Sequence, residues 1–355
     1  MELQYKPDFA VCKEYWAAFW QGEIIDRPLI SVTAPKTGFT QPSTQDFYMM
    51  GSDGNYQQAL EKFEAWAAAT YFGGEAIPCF DISFGPDQFS AFLGAELVHS
   101  ADHHTSWVKP FVDGWMGVDL RLDRKPGGIW SRMCDFHRVA AQYSDGKFLI
   151  TLPDLHSNMD CLSAIRGPQN LCMDLIDFPD EVTRVLRQVR LVYPEVCETL
   201  LSVGDMNRRG TTSWINAYCE GWYNVIQCDF LAMLSPKLAR DFVLPALEEE
   251  ANFWDHTIFH LDGPAALVHL DDILSIPAID VIQWVPGDGQ PRTIEWMDLL
   301  HKIQGAGKGL WLYDWTPEEI KTRFKELRPE RLWFSVQVGS EREADELMEW
   351  LRART

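Results

Sequence analysis

Residues 256–263 read HTIFHLDG, an apolar strand that ends in polar residues, and a stretch with helical spacing, GPAALVHLDDILSI (263–276), follows it directly. This strand–helix unit recurs three times in the residues that follow. The later strands are 278–287, 309–315 and 331–339, and the later helices are 292–309, 318–327 and 342–353. Because each strand is too apolar to be half exposed, the pattern predicts buried parallel strands joined by right-handed crossovers.

The first two-thirds of the chain repeat this pattern with longer interruptions. Strand candidates are 28–34, 76–85, 147–154 and 211–218, and helix candidates are 56–72, 180–204 and 235–256. Segment 100–140, rich in Trp, Gly and His, indicates an antiparallel insertion. About eight alternating strands and helices, with no GxGxxG after the first strand, favour an α/β fold of the (β/α)₈ TIM-barrel type over a doubly wound sheet. We expect one such domain over 1–355, with an N-terminal extension.

The composition is acidic and rich in aromatic residues. The 355 residues include 31 Lys and Arg against 52 Asp and Glu, a net charge of −21, and 15 Trp. Such a surface repels phosphate backbones and anionic lipid, so we expect no nucleic acid and no membrane among the partners. The sequence shows no signal peptide, and its eight Cys form no CxxC pair. These features predict a cytoplasmic protein with reduced thiols.

In a barrel of this type the active site lies at the carboxyl ends of the strands. Polar residues at these ends are therefore the candidates for chemistry. The candidate catalytic residues are Asp81, His156, Asp229, His260 and Asp262. The candidate substrate-binding residues are Trp214, Asn216, Glu220, Gln283, Trp284 and Tyr313.

His260 and Asp262 form the sharpest local feature. Alternation along the strand puts them on the same side, about 6–7 Å apart. This spacing suits metal ligation, or a histidine whose tautomer is set by a carboxylate. The alternative is that Asp262 caps the helix starting at Pro264 while His260 is a hydrogen-bonded barrel residue. Cys228 is a candidate third metal ligand, and its alternative is a buried structural thiol.

For the other polar groups, the alternative to a functional role is an ordinary place on the protein surface. Asp102, His103 and His104 lie in the predicted insertion, where exposed polar surface is the usual role. Arg208 and Arg209 are candidates for binding a substrate carboxylate, or a solvated loop pair. The sequence has no GxSxG, HExxH or P-loop motif, so serine hydrolase, zincin and NTPase functions lack support.

Over roughly 25–350 the chain resembles the uroporphyrinogen decarboxylase-like superfamily, and within it the corrinoid-dependent methyltransferase branch. The resemblance rests on an ordered set of segments. They are Asp26-Arg27-Pro28, AIPCFDISFGP (76–86), LSAIRGPQNLCMDLIDFPDEV (162–182), VIQCDFLAMLSPKLARDFVLPAL (225–247) and HLDG through IDVIQW (260–284).

Departures from the family pattern indicate the branch. The arginine-rich substrate loop of the decarboxylase is missing, and RPLISVTAPKTGF stands in its place. Asp81 falls where the decarboxylase has its central aspartate, but Gln337 stands where that enzyme uses a histidine. Methyltransferases of the zinc type carry His-x-Cys at the HLDG position, where this chain has Asp262. By this comparison a thiolate-rich zinc site is not expected, and two alternatives stay open: a His/carboxylate metal site with Cys228 or Glu220 as a further ligand, or a metal-free site.

The resemblance implies a methyltransferase. It would move a methyl group between a small methylated amine, betaine or methoxy compound and a corrinoid (cobalamin) carried by a corrinoid-binding partner protein. Trp214, Trp222, Trp284 and Tyr313 are the expected aromatic walls. Two alternatives stay open. One is a decarboxylase or lyase that acts on a small carboxylate through Asp81, and the other is a ligand-binding barrel without chemistry.

Overall fold

The computed structural model describes residues 1–40, 42, 47–100 and 105–355. Asp102, His103 and His104 lie outside the described residues. The strands are β1 (Leu29–Pro35), β2 (Thr70–Gly74), β3 (Cys79–Phe80), β4 (Leu97–His99), β5 (Ser106–Val108), β6 (Leu149–Ile150), β7 (Thr211–Thr212), β8 (Tyr218–Cys219), β9 (Tyr223–Gln227), β10 (His256–Asp262), β11 (Val281–Val285), β12 (Gly309–Leu312) and β13 (Leu332–Gln337).

Fourteen α-helices are described along with these strands. They are α1 (Phe9–Gln21), α2 (Tyr56–Ala68), α3 (Gln88–Phe92), α4 (Ile129–Ser144), α5 (Asn158–Arg166), α6 (Pro168–Asp177), α7 (Pro179–Val203), α8 (Met206–Arg209), α9 (Pro236–Leu238), α10 (Leu244–Phe253), α11 (Leu270–Leu274), α12 (Met297–Gly305), α13 (Pro317–Arg323) and α14 (Glu341–Arg352). A π-helical segment, Ala239–Val243, joins α9 to α10. Short 3₁₀ helices cover Asp229–Met233, Pro264–His269, Thr293–Glu295 and Phe324–Glu326. None of the described helices has the length and apolar character needed to cross a membrane.

The central sheet has the order β2-β1-β13-β12-β11-β10-β9, and every pairing in it is parallel except that of β2 with β1. In its register His260 lies opposite Gln227 on one side and Gln283 on the other. Residues paired in this way point to the same face of a sheet. The sheet therefore aligns one polar residue from each of three neighbouring strands.

The four strands predicted in the last hundred residues are confirmed as β10 to β13. The helix predicted over 263–276 begins as the 3₁₀ helix Pro264–His269 and continues as α11. At the start of α13, the Thr316 side chain accepts from the backbone of Glu319, and the Glu319 side chain accepts from the backbone of Thr316. This reciprocal capping box is the reason that the helix begins where the sequence predicts.

The first two-thirds of the chain differ more from the prediction. The helix predicted over 56–72 ends at Ala68, and β2 follows it, because Thr70, Tyr71 and Phe72 have side chains that favour strands. The predicted strand 211–218 is instead the two arms of a hairpin, β7 and β8. Segment 100–140 is antiparallel only in part: β5 pairs with β4, but α4 occupies its end.

These pairings establish a mixed α/β fold with a mostly parallel central sheet. β3 pairs with β6 in parallel, and a bridge between Leu152 and Ser213 links the chain after β6 to the chain after β7. Among the described strands the pairings do not show a closed eight-stranded barrel. That part of the prediction stays a prediction.

Helix α1 covers the amino ends of the parallel strands. Its Trp16 meets Trp333 edge to face, with ring centroids 4.8 Å apart, and its Trp20 donates to the backbone oxygen of Tyr218 at 2.7 Å. The same apolar cluster contains Tyr223, near the start of β9. Because this end of the sheet is filled by aromatic side chains, the carboxyl ends are left for a site.

Candidate functional site

Three side chains of metal-ligand type meet at the carboxyl ends of β9 and β10. His260 and Asp262 lie on β10, and Asp229 begins the 3₁₀ helix that follows β9. Each offers one ligand atom, and these three atoms lie within 4.8 Å of one another. Asp229 and Asp262 are exposed, and His260 is half-buried. The acidic cluster formed by these three residues is thus open to solvent.

Neighbouring side chains fix the orientation of His260. Its Nδ1–H donates to Oε1 of Gln283 at 2.6 Å, with the amide oxygen as acceptor. The ring also meets Trp214 edge to face, with centroids 5.3 Å apart. Because Nδ1 carries the proton in this arrangement, Nε2 keeps a lone pair for a metal or a proton.

Asp262 faces a like charge. Burial raises the pKa of its carboxyl, the positive charge that His260 carries when its ring is protonated opposes this rise, and the charge of Asp229 adds to it. Asp262 does not cap the following helix, because the 3₁₀ helix Pro264–His269 begins after Gly263 without a side-chain cap. The helix-cap alternative is therefore not what the structure shows, and the two carboxylates form an arrangement that a cation would stabilise.

The position of Asp229 is fixed by Asp160, a residue of α5 that the sequence analysis missed. The Asp160 carboxylate accepts the backbone N–H of Asp229 at 2.9 Å and that of Phe230 at 2.7 Å. Burial raises the pKa of Asp160 to about 6, and the nearby charge of Asp229 adds to this effect. The sequence signal for Asp160 was an acidic residue shortly after the predicted strand 147–154, and the structure places it in the first turn of α5.

His156 lies close to the acidic cluster as a cation. Its Nε2–H donates to Oδ2 of Asp154 at 3.2 Å. Burial acts to lower the pKa of the imidazole, but the charge and hydrogen bond of Asp154 outweigh it and raise the pKa to about 10. A cavity of about 410 Å³ has His156, Asp160 and Asp229 among its lining residues. His156 therefore places a positive charge near Asp229 at neutral pH.

A second cavity, of about 430 Å³, lies between the strands, and we call it the aromatic cavity. Its lining includes Trp66, Trp214, Trp311, Trp333, Asp81 and Asn216. Asp81 accepts a hydrogen bond from Oγ1 of Thr151 at 2.8 Å, and burial raises the pKa of its carboxyl to about 6. Because Trp214 contacts His260 as well, the aromatic cavity adjoins the acidic cluster.

Several predicted residues lie elsewhere. The Cys228 thiol is buried and donates to Oδ1 of Asp160 at 3.7 Å, so it is not part of the acidic cluster. Glu220 pairs with Lys13 of α1 at 2.5 Å. The ring of Trp284 is 1% exposed and packs against Trp296, because Trp284 points to the opposite face from Gln283. These three residues lie in structural surroundings, in contrast to the predicted ligand or substrate roles.

Of the remaining predicted residues, one contacts a wall of the aromatic cavity, and the others are not among its described lining residues. Tyr313 packs against Trp311, a wall residue of the aromatic cavity, with ring centroids 5.0 Å apart. Trp222 packs against Phe253 instead. Arg208 is exposed and paired with Asp145 and Asp205, and the buried Arg209 donates to Ser144 and to the Phe148 carbonyl. Neither arginine is among the described residues that line the aromatic cavity.

No protein-family model matches the chain, and no curated protein matches it in sequence. Among solved structures, 22 chains match. One of them is a methyltransferase from Methanosarcina mazei, with a TM-score of 0.62 and 13% sequence identity, and the match covers 96% of this chain and 98% of that chain. At this identity the similarity shows a shared fold over nearly the whole of both chains.

Proposed function

We propose that this chain is a methyltransferase that moves a methyl group between a small methylated compound and a corrinoid carried by a partner protein. The observation that carries the proposal is the convergence of Asp229, His260 and Asp262 beside the aromatic cavity. The fold shared with the methyltransferase from Methanosarcina mazei supports it, as does the sequence resemblance to the corrinoid-dependent branch.

The acidic cluster fits a divalent metal ion. One imidazole and two carboxylates form a donor set that Zn²⁺ and other first-row metals accept, and three protein ligands leave a coordination position free. The two carboxylates are near enough for the charge of Asp229 to raise the pKa of Asp262. A metal bound here would supply a Lewis acid that polarises the heteroatom carrying the methyl group.

The surroundings of the cluster fit a large partner cofactor. The 3₁₀ helices Asp229–Met233 and Pro264–His269 pack against each other beside the cluster. They expose Met233 and Val268, whose side chains are 53% and 59% exposed. An open cluster with an apolar rim suits the approach of a flat macrocycle. The corrinoid would supply the cobalt centre that gives or accepts the methyl group.

The residues of this chain have separate tasks in the proposal. Asp160 holds Asp229 in place through two backbone N–H groups, and Gln283 fixes the tautomer of His260. Trp214 orients the substrate between the aromatic cavity and the cluster. With a pKa of about 6, Asp81 holds or releases a proton in the cavity near neutral pH.

We further propose that the strands close into the (β/α)₈ barrel expected from the sequence, as one domain over 1–355. The parallel β3–β6 pair and the bridge from Leu152 to Ser213 support this, because they continue the parallel arrangement beyond the central sheet. The cytoplasmic location stays a prediction.

Methylcobalamin formation tests the proposal. The purified chain is mixed with free cob(I)alamin and a panel of methylated amines, betaines and methoxy compounds, and the absorbance of methylcobalamin is followed. We expect at least one donor to react, with the rate lost on treatment with a chelator and restored by Zn²⁺. A chain that forms no methylcobalamin with any donor, with or without added metal, contradicts the proposal.

A further inference from the structure

We propose that the aromatic cavity binds the cationic head of a methylated ammonium compound. This inference rests on the proposed function and narrows its substrate class, because the proposed methyl donors include neutral methoxy compounds as well as amines and betaines. The inference depends on the walls of the cavity, on its charge and on its position next to the acidic cluster.

The walls offer four indole rings, and the N–H donors of two of them are bound to neighbouring strands. Trp311 Nε1–H donates to Oγ of Ser335 at 2.8 Å, and Trp333 Nε1–H donates to Oγ of Ser31 at 2.9 Å. These two rings are nearly parallel, with centroids 5.0 Å apart and planes inclined by 22°. Trp333 is itself buried behind Trp311, so the half-buried rings of Trp311 and Trp214 are the ones that present carbon surface to the cavity. Tryptophan gives the strongest attraction for cations of the three aromatic side chains.

The charge of the cavity favours a cation over an anion or a neutral ring. Asp81 is the one ionisable acid among the described lining residues, and none of these residues is Lys, Arg or His. The hydrogen bond that the structure gives its carboxylate comes from the neutral Thr151 hydroxyl. An anionic ligand would be repelled, and a neutral ligand would leave the carboxylate without a counter-charge. A ligand cation would supply that charge in surroundings of low polarity.

The size and position of the cavity agree with this ligand. Its volume of about 430 Å³ falls in the range of small-molecule sites, roughly 300–1,000 Å³. Trp214 belongs to both the cavity wall and the surroundings of His260. A methylated ammonium group held by the indoles would therefore lie next to the cluster where methyl transfer is proposed.

Two probes of the same shape isolate the contribution of the positive charge. Choline has a quaternary nitrogen cation at the position where 3,3-dimethylbutan-1-ol has a neutral carbon. Calorimetric titration of the full chain compares the affinities of the two compounds. We expect choline to bind about tenfold more tightly or better. Equal affinities, or tighter binding of the neutral alcohol, would overturn the inference.

Variants assign the effect to the cavity. In Asp81→Asn we expect choline affinity to fall about tenfold or more while the affinity for the neutral alcohol is kept. The matched control is Asp271→Asn, since Asp271 is exposed and paired with Lys302 on the surface. Unchanged choline binding in Asp81→Asn overturns the inference. If Asp81→Asn does not fold, Trp311→Leu takes its place, and this variant must weaken the binding of choline more than the binding of the neutral alcohol.

The outcomes separate this inference from the proposed function. Preferred binding of choline in a chain that transfers no methyl group would keep the inference about the cavity and remove the methyltransferase proposal. Methyl transfer from methoxy compounds by a chain that shows no preference for choline would keep the methyltransferase proposal and overturn the inference.

Discussion

His260 connects the two parts of the candidate site. Gln283 holds one of its ring nitrogens, and Trp214 packs on its ring from the side of the aromatic cavity. Asp229 and Asp262 supply the carboxylates around it. The orientation of one imidazole therefore determines whether the three ligand atoms face a common point.

The metal content of purified variants tests this assignment of ligands. We expect the chain to bind one Zn²⁺, and we expect His260→Ala and Asp229→Asn to lose it, because each removes a ligand from a set of three. The measurement is elemental analysis after dialysis against a fixed concentration of free zinc.

Cys228→Ser is the matched control for the metal measurement. The thiol faces Asp160 in the interior, so we expect the variant to keep its zinc. Loss of zinc in Cys228→Ser, with retention of zinc in Asp229→Asn, would show that Cys228 and not Asp229 is the third metal ligand.

Glu250 is a buried carboxyl beneath the site. It accepts from Oγ of Ser157 at 2.7 Å and from Nδ2 of Asn158 at 3.2 Å, and Asn158 also donates to the Gln227 carbonyl at the end of β9. Burial raises the pKa of Glu250 from 4.5 to about 8. A neutral Glu250 thus ties α10 to the start of α5 and to the strand before Asp229.

The raised pKa predicts a pH dependence of stability. The folded chain keeps a proton on Glu250 that the unfolded chain releases, so the free energy of unfolding falls as the pH rises from about 4.5 to about 8. Glu250→Gln, which cannot ionise, should lessen this fall in urea denaturation measured across the window. The exposed neighbour variant Glu248→Gln should leave the fall unchanged. A Glu250→Gln curve that follows the wild type would disprove the expectation.

The start of β1 is anchored by an ion pair that explains one of the quoted sequence segments. Arg27 donates from Nη1 and Nη2 to the two oxygens of Glu75, at 2.7 and 2.9 Å, and the two side chains are only 4% and 2% exposed. Glu75 also accepts the backbone N–H of Ile30 in β1. The pair therefore joins β1 to the chain between β2 and β3.

Removing one partner of this pair should be costly. Glu75→Ala leaves a buried guanidinium without its counter-charge, and we expect the free energy of unfolding to fall by about 3–5 kcal/mol. The control is Glu96→Ala, which breaks the exposed pair with Lys109 and should cost about 0–1 kcal/mol. Equal losses in the two variants, measured by urea denaturation, would contradict the role of burial.

Elements with a complete local pattern were predictable from the sequence. β10 to β13 have continuous apolar runs, and α13 has its capping box, so local chemistry decides their positions. β3 and β6 are only two residues long, and the pairing with each other that defines them spans 70 positions. β7 and β8 form an antiparallel hairpin that an alternation pattern alone does not distinguish from one strand.

In the candidate site, too, the residues marked by a local sequence pattern were predictable and those placed by distant contacts were not. Alternation along β10 placed His260 and Asp262 together, and the end of β9 pointed to Asp229. Asp160 was missed because its function is to accept backbone N–H groups 69 and 70 positions away, which no local pattern records. Trp284 was expected at the site together with Gln283, but one step along a strand reverses the face to which a side chain points, and the ring packs against Trp296 instead.

At the scale of the whole molecule, aromatic side chains fill one end of the parallel sheet, and the other end carries the candidate site. The aromatic side chains of α1 fill the amino ends, and the acidic cluster occupies the carboxyl ends of β9 and β10. The chain as a whole has the same sign, with a net charge of −21. A field of this sign attracts cationic ligands and metal ions.

Methyl transfer to cob(I)alamin, measured with one donor in matched variants, tests the central claim most directly. We predict methylcobalamin formation by the wild type, a loss of about a hundredfold or more in His260→Ala, and full activity in His301→Ala, whose exposed side chain binds the Glu326 carbonyl. A His260→Ala variant as active as the wild type, or a wild type without activity towards any donor, would contradict the claim.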